Sequence, residues 1–380
     1  MPALVAALVA ALVPAASGQG RIDRVDDVER RLLEATHRVA DELLAPQAAA
    51  VDAATVPRGH LAALAGAGVF GLHAPRSAGG AAASPAVVRE VEETLAGADL
   101  ATWFVQVQHH GPVRALAAAG GFEPLLAELA AGRQVAGIAL AHLRRWPDRP
   151  VRAEPDGDGW RLDGVAPWYT GWGLNDVALV GALTTGGDVV LLLVPARPAP
   201  GVTASGPMRT AALAAAVTVT LGFESYRAEP ADVVSVQPVA TWSAADRNVT
   251  VNVQPAALGL AASAVGLLAE HRAGRREPEA EALAGRLGER LVAVRAEAYA
   301  LLDHVPPGEE HARRLELRAE AHRLLVEATT GLVVAGAGGS MAAGAPAQRK
   351  AREALFLLVQ AQTATSRRAT LNAWSPRAQP

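Results

Sequence analysis

The sequence predicts an α+β protein: helices first, a β domain in the middle and a helical bundle at the end. Three observations carry that order. Between Ile22 and about Gly132 the apolar residues Leu32, Leu33, Ala40, Leu43 and Leu44 recur at helical spacing, with charges between them. Between about Val135 and Val236 the pattern turns to strands. Val217-Thr218-Val219-Thr220-Leu221 alternates with period two, and Val189 to Val194 is a continuous Val/Leu run closed by Pro195. From about Ala240 helical stretches return: Leu258 to Glu270, Ala280 to Asp303, Glu309 to Thr330 and Pro346 to Ala373.

Taken in order, residues 2–16 are apolar and lead into Ser17-Gly18-Gln19-Gly20, which resembles a processing site. No Lys or Arg precedes Arg21, so the charged start of a secretory signal is missing. The run also falls short of the roughly 20 residues that span a bilayer. Arg30-Arg31 follows it, the reverse of a twin-arginine export signal. Residues 1–20 are therefore expected to be an extension ahead of the first domain, and the protein to be cytoplasmic. Pro46, Pro57, Pro75, Gly79-Gly80 and Pro112 divide the first segment into several helices. The turn Asp156-Gly157-Asp158-Gly159 starts a strand at Trp160-Arg161-Leu162, and Pro306-Pro307-Gly308 separates two of the late helices. The expected segments are 21–133 helical, 134–238 β and 239–380 helical.

Composition narrows the chemistry. Thirty-five Lys and Arg against 38 Asp and Glu leave a net charge of −3, which argues against a nucleic-acid partner. With 51% hydrophobic residues the chain can bury a large core. The absence of cysteine excludes disulfides, thiolate zinc sites, cysteine nucleophiles and cysteine-ligated clusters. Lys350 is the only lysine, so no phosphate-binding G-K-[ST] loop exists.

Several motifs read as structure. Gly66-Ala67-Gly68-Val69-Phe70-Gly71 matches G-x-G-x-x-G, but a helical stretch rather than a strand precedes it, so it is expected to cap a helix. His109-His110 lies in an apolar segment and reads as core or pocket edge. His311 and His322 share a helix with Glu316, Glu320, Arg313, Arg314, Arg318 and Arg323. That pattern reads as a solvated, salt-bridged face, and no metal site is expected. Gly338-Gly339-Ser340 lacks the closing glycine of a nucleophile elbow. The informative stretch is Asp163-Gly164-Val165-Ala166-Pro167-Trp168-Tyr169-Thr170. A Trp beside a hydroxyl residue on a strand can flank a flat aromatic ring, the indole packing and the hydroxyl reaching a ring heteroatom.

From about residue 22 to 375 the chain resembles the acyl-CoA dehydrogenase family. Asp163 to Thr170 is similar to the family's N-G-x-K-x-W-I-T, and Gly71 to Gly80 to its G-x-x-x-P-x-x-x-G-G. Arg352-Glu353-Ala354 stands in register with R-D-A. The resemblance implies an N-terminal α-helical domain, a middle β-barrel and a C-terminal four-helix bundle. It also implies an FAD cofactor, with Trp168 stacked on the isoalloxazine and Thr170 at the flavin N5. Ala141 and His142 occupy the place of the family's flavin-edge segment, Arg272 the adenine-side motif, and Gly338-Gly339 the family's G-G. A homodimer or homotetramer acting on an acyl thioester, with no membrane partner, is implied as well.

The same register removes the usual base. The family's commonest catalytic glutamate lies nine residues after the Arg of R-D-A, which here is Ala361, between Gln360 and Gln362. Its alternative position falls near Val249. An α-proton needs a base within about 3 Å, worth roughly 10²–10⁴-fold in rate, and alanine supplies none. The leading expectation is an FAD-dependent oxidation of an acyl thioester with a relocated base, His142 or Asp246. A flavin-dependent monooxygenase of the same fold, or a degenerate subunit supporting an active paralogue, are the competing expectations.

Overall fold

The computed structural model describes residues 26–270 and 278–375; the expected extension at 1–20 and Arg272 lie outside the described residues. Helices α1 (Asp27–Val39), α2 (Ala45–Ala53), α3 (Arg58–Gly66), α4 (Pro85–Ala98), α5 (Leu100–Val107), α6 (His110–Ala119) and α7 (Glu123–Ala130) precede the strands. The strands are β1 (Ala136–Ala139), β2 (Val151–Asp156), β3 (Gly159–Tyr169), β4 (Val177–Leu183), β5 (Asp188–Pro195), β6 (Val202–Ala204), β7 (Val219–Ala228) and β8 (Val233–Pro238). Helices then return as α8 (Val239–Thr250), α9 (Pro255–Glu270), α10 (Pro278–His304), α11 (His311–Ala335), α12 (Pro346–Val359) and α13 (Ala364–Trp374).

Local chemistry accounts for many of these boundaries. Asp26 caps α1, its carboxylate accepting the N–H groups of Val28 and Glu29 at 2.9 Å. The G-x-G-x-x-G match closes α3, with Gly68 left-handed at φ 81, as expected of a cap. The stretch 346–373 reads as one helix in the sequence but is two. Ala361 turns left-handed at φ 49, and Thr363 and Ser366 form a capping box that starts α13. The strand expected from Val217 begins instead at Val219, because Val217 is itself left-handed at φ 49.

The described residues divide into two compact units. One comprises the described residues up to Ala53, Pro85–Leu100 and the described residues from Arg247 on; the other comprises Ala54–Ser84 and Ala101–Asp246. In the second unit the strands form one mixed sheet of eight in the order β6-β7-β3-β2-β4-β5-β8, with β1 parallel to β4. The continuous Val/Leu run of β5 is explained by burial on both faces. Val190, Leu192 and Val194 join Leu162, Tyr169 and Phe223 in one apolar cluster, while Val189, Leu191 and Leu193 join Leu116, Leu126 and Leu129 in another.

In the first unit α9 packs against α4, α10, α11 and α12. Close approach is licensed by Gly259, where a Cβ would lie 2.1 Å from the Glu93 carbonyl oxygen. Val239–Glu270 is apolar enough to cross a membrane by composition, but most of that apolar window is buried inside the protein.

Candidate functional site

Trp168 and Thr170 sit where β3 leaves the sheet. Three residue steps on β3, Ala166 to Tyr169, are matched by two on β7, Leu221 to Val219, so one extra residue bulges out. Trp168 takes up the bulge with a left-handed backbone, φ 66, and 61% of its surface is exposed. A large side chain in that conformation is uncommon and costs of order 1–3 kcal/mol, sustained only where the surroundings over-determine it. Tyr169 and Asn175 provide that support. The Asn175 side-chain amide donates to the Tyr169 hydroxyl at 3.0 Å and to the Thr170 carbonyl at 2.9 Å. Gly171 must follow, since its φ is 84 and a Cβ there would meet the Asn175 side chain at 2.6 Å. Thr170 is buried at 2% exposure, and its hydroxyl lies 3.1 Å from that of Thr218.

Ala141 and His142 open a 3-10 turn, Ala141–Arg145. Ala141 is exposed, whereas His142 is sealed in the core. Its Nε2–H donates to the Gly181 carbonyl at 2.7 Å, and its Nδ1 is buried without a hydrogen-bond partner. Burial lowers the imidazole to about 4, so it stays neutral and takes up no proton near pH 7. Asp246 is held by Arg144 through two hydrogen bonds of 2.7 and 2.8 Å. Neither group is free in this geometry: the His142 imidazole is locked against Gly181 and hard to protonate, and the Asp246 carboxylate is bonded to Arg144.

The first unit contains the turn Gln360–Gln362, the expected base position. Arg318 donates to the carbonyl of Gln360 at 3.2 Å and to that of Asn252 at 3.0 Å. The Gln254 amide donates to the Gln360 side-chain oxygen, and the Gln362 amide to the Leu358 carbonyl at 3.0 Å. Val249 is an exposed apolar residue of α8. Gly338 and Gly339 lie in an exposed 3-10 turn, Ala337–Met341, after α11.

The basic face of α11 corrects the sequence reading. Arg313 is exposed and bridges Glu297 and Glu316, as a solvated face requires. Arg314, Arg318 and His322, spaced at four residues, are instead each 2% exposed. Backbone oxygens outweigh solvent there. Arg314 donates to the carbonyls of Glu309, Leu301 and Val305 and to the Asn252 side chain at 2.7–2.9 Å. Charge patterning cannot distinguish an arginine that faces water from one that faces the carbonyls of a neighbouring loop. His109 and His110 are core residues, at 0% and 2% exposure. Among the described residues no cluster of His, Asp and Glu fits a metal ion.

An all-helical start, a mixed sheet and a closing helical bundle, with a strained Trp and a buried Thr on the rim of the sheet, define the class: the acyl-CoA dehydrogenase fold. Residues 26–123 match the family model "Acyl-CoA dehydrogenase, N-terminal domain". A probable acyl-CoA dehydrogenase, fadE25, of Mycobacterium leprae (strain TN) is 32% identical over 164 residues, 41% of this chain and 42% of that protein. The match thus spans less than half the length of that relative. The butyryl-CoA dehydrogenase of Megasphaera elsdenii superposes with a TM-score of 0.77 at 17% identity, over 92% of this chain and 98% of its own. The dibenzothiophene monooxygenase TdsC of Paenibacillus sp. A11-2 superposes over the same shares with a TM-score of 0.75 at 18% identity. TdsC has also been solved with FMN bound. Residues 26–123 thus resemble the family's N-terminal domain, and the chain has the acyl-CoA dehydrogenase fold.

Proposed function

We propose that this protein is a flavin-dependent oxidoreductase that holds an isoalloxazine ring against Trp168 and Thr170. The carrying observation is the Trp168 bulge, a costly backbone that presents an indole face to the outside two residues from a buried hydroxyl. The residues present fit the group. The indole offers an apolar face for stacking, and the Thr170 hydroxyl, with one donor and two acceptor sites, retains capacity beyond its contact with Thr218. FAD is the expected form. FMN is the form the same experiment tests against it. A bound flavin supplies two-electron transfer and, when reduced, reactivity toward O₂.

Of the family's reactions, the oxygen-dependent one is favoured over thioester dehydrogenation. Ala361 and Val249 stand at the two base positions, His142 is locked neutral, and Asp246 is paired with Arg144. Without a base the α-proton of a thioester is not removed at a useful rate. In the favoured reaction an external reductase supplies the electron pair, one oxygen atom of O₂ enters the substrate, and the other leaves as water.

The test starts from visible absorbance of the purified protein with FAD and with FMN. Substrate-dependent O₂ consumption with a flavin reductase is the expected result. A protein that takes up neither flavin sinks the whole reading. Dye reduction by an acyl-CoA without a reductase restores thioester dehydrogenation, and activity only on mixing with a full-motif paralogue identifies a supporting subunit.

A further inference from the structure

Resting on the flavin reading, we infer that Thr218 is a positioning residue whose hydroxyl lets Thr170 serve both the oxidised and the reduced ring. The two hydroxyl oxygens are 3.1 Å apart and either can donate. Both residues are buried, at 2% and 8% exposure, so bulk water does not replace a lost partner easily.

Strain is stored beside both threonines. Trp168, two residues before Thr170, is left-handed at φ 66, and Val217, immediately before Thr218, is left-handed at φ 49. For a β-branched residue that conformation is a true outlier. Three backbone hydrogen bonds hold the second turn in place. The N–H of Gly171 donates to the Ala216 carbonyl at 2.9 Å, that of Trp172 to the Val217 carbonyl at 3.2 Å, and that of Met208 to the Thr218 carbonyl at 2.8 Å. The fold thus sustains an unfavourable backbone on both sides of one hydroxyl pair, and such outliers concentrate where a side chain must be aimed.

A pair of hydroxyls can reverse its direction. The oxidised ring presents N5 as an acceptor, so Thr170 donates to it and Thr218 donates to Thr170. A reduced ring would present N5–H as a donor, so Thr170 would accept from it and donate its own hydrogen bond to Thr218. Without the Thr218 hydroxyl the oxidised state keeps its donor. In the reduced state the Thr170 proton is left buried without an acceptor, which costs free energy.

The experiment uses the protein reconstituted with FAD and reads the dissociation constant of the oxidised flavin and the midpoint potential. In Thr218→Val the oxidised flavin is expected to bind within about threefold of the unsubstituted protein. Binding of the reduced flavin is expected to weaken about tenfold relative to the oxidised form, a shift of about 30 mV to more negative potential. Thr218→Ser restores the original potential. In a Thr170→Val background, Thr218→Val produces no further shift, because the interaction is already absent. An unchanged potential in Thr218→Val overturns the inference, as does an equal shift in Thr218→Ser, which would assign the effect to the lost methyl. Should Thr218→Val not fold, Thr218→Ala gives the same reading. An unsubstituted protein that takes up no flavin removes the functional reading itself, an outcome separate from these.

Discussion

The turn at Trp168–Thr170 and the turn at Gln360–Gln362 belong to different units of the molecule and are built alike. Each contains a non-glycine residue held left-handed, Trp168 at φ 66 and Ala361 at φ 49. Each is fastened by a buried polar side chain to a backbone carbonyl, Asn175 to that of Thr170 and Arg318 to that of Gln360. They differ in what they present. The first offers an indole and a hydroxyl, both able to meet a flavin. The second offers only the methyl group of Ala361, where the sequence resemblance leads one to expect a carboxylate. The backbone that aims a side chain and the side chain it aims are therefore separable, and the same costly geometry can present very different groups.

Acid tests both units at once and should give the largest effect. His109 and His322 are lowered to about 3 and His142 to about 4, in each case chiefly by burial. The unfolded chain binds these protons near pH 6.5, so between that pH and the folded values the unfolded state holds more protons. Their stabilising contribution is complete above 6.5 and is lost as the pH falls toward 4, at roughly 1.4 kcal/mol per unit for each group. Denaturant titrations at pH 7 and pH 4.5 should show the loss. His322→Leu should reduce it in the helical unit, and an unchanged pH dependence there would count against a buried neutral imidazole.

Arg318→Met comes next. It leaves the carbonyls of Gln360 and Asn252 without their guanidinium donor, at a cost of roughly 2–4 kcal/mol, read as a fall in the thermal midpoint. A loss below about 1 kcal/mol would mean that the turn does not depend on this clamp.

Relief of backbone strain then separates the two turns. Trp168→Gly should stabilise the fold by about 1 kcal/mol yet weaken flavin uptake by on the order of tenfold. Equal uptake in that variant would remove the indole from the site. Ala361→Gly should give a similar gain of about 1 kcal/mol with uptake unchanged, the smallest effect of the series. Weakened binding there would show that the turn does more than hold its shape.

Much of the helical and strand order was readable in advance because it depends on periodicity, which neighbouring residues display among themselves. The run Val189 to Val194 marks a doubly buried strand, and Asp163 to Thr170 marks the rim that carries Trp168 and Thr170. Pairing of distant residues leaves no such trace. Thr218 in Val217-Thr218-Val219 looks like any alternating strand, and it became notable only when Val217 turned left-handed and placed one hydroxyl against another 48 residues away. Arg314 and Arg318 look like surface charges until the carbonyls of separate loops surround them. Helix α4 joins the late bundle, not its sequence neighbours, because Gly97 and Gly259 let two backbones meet. Local propensity and pattern are written residue by residue along the chain. Contact, burial and proton affinity arise from what folding brings together, and those quantities assign the chemistry.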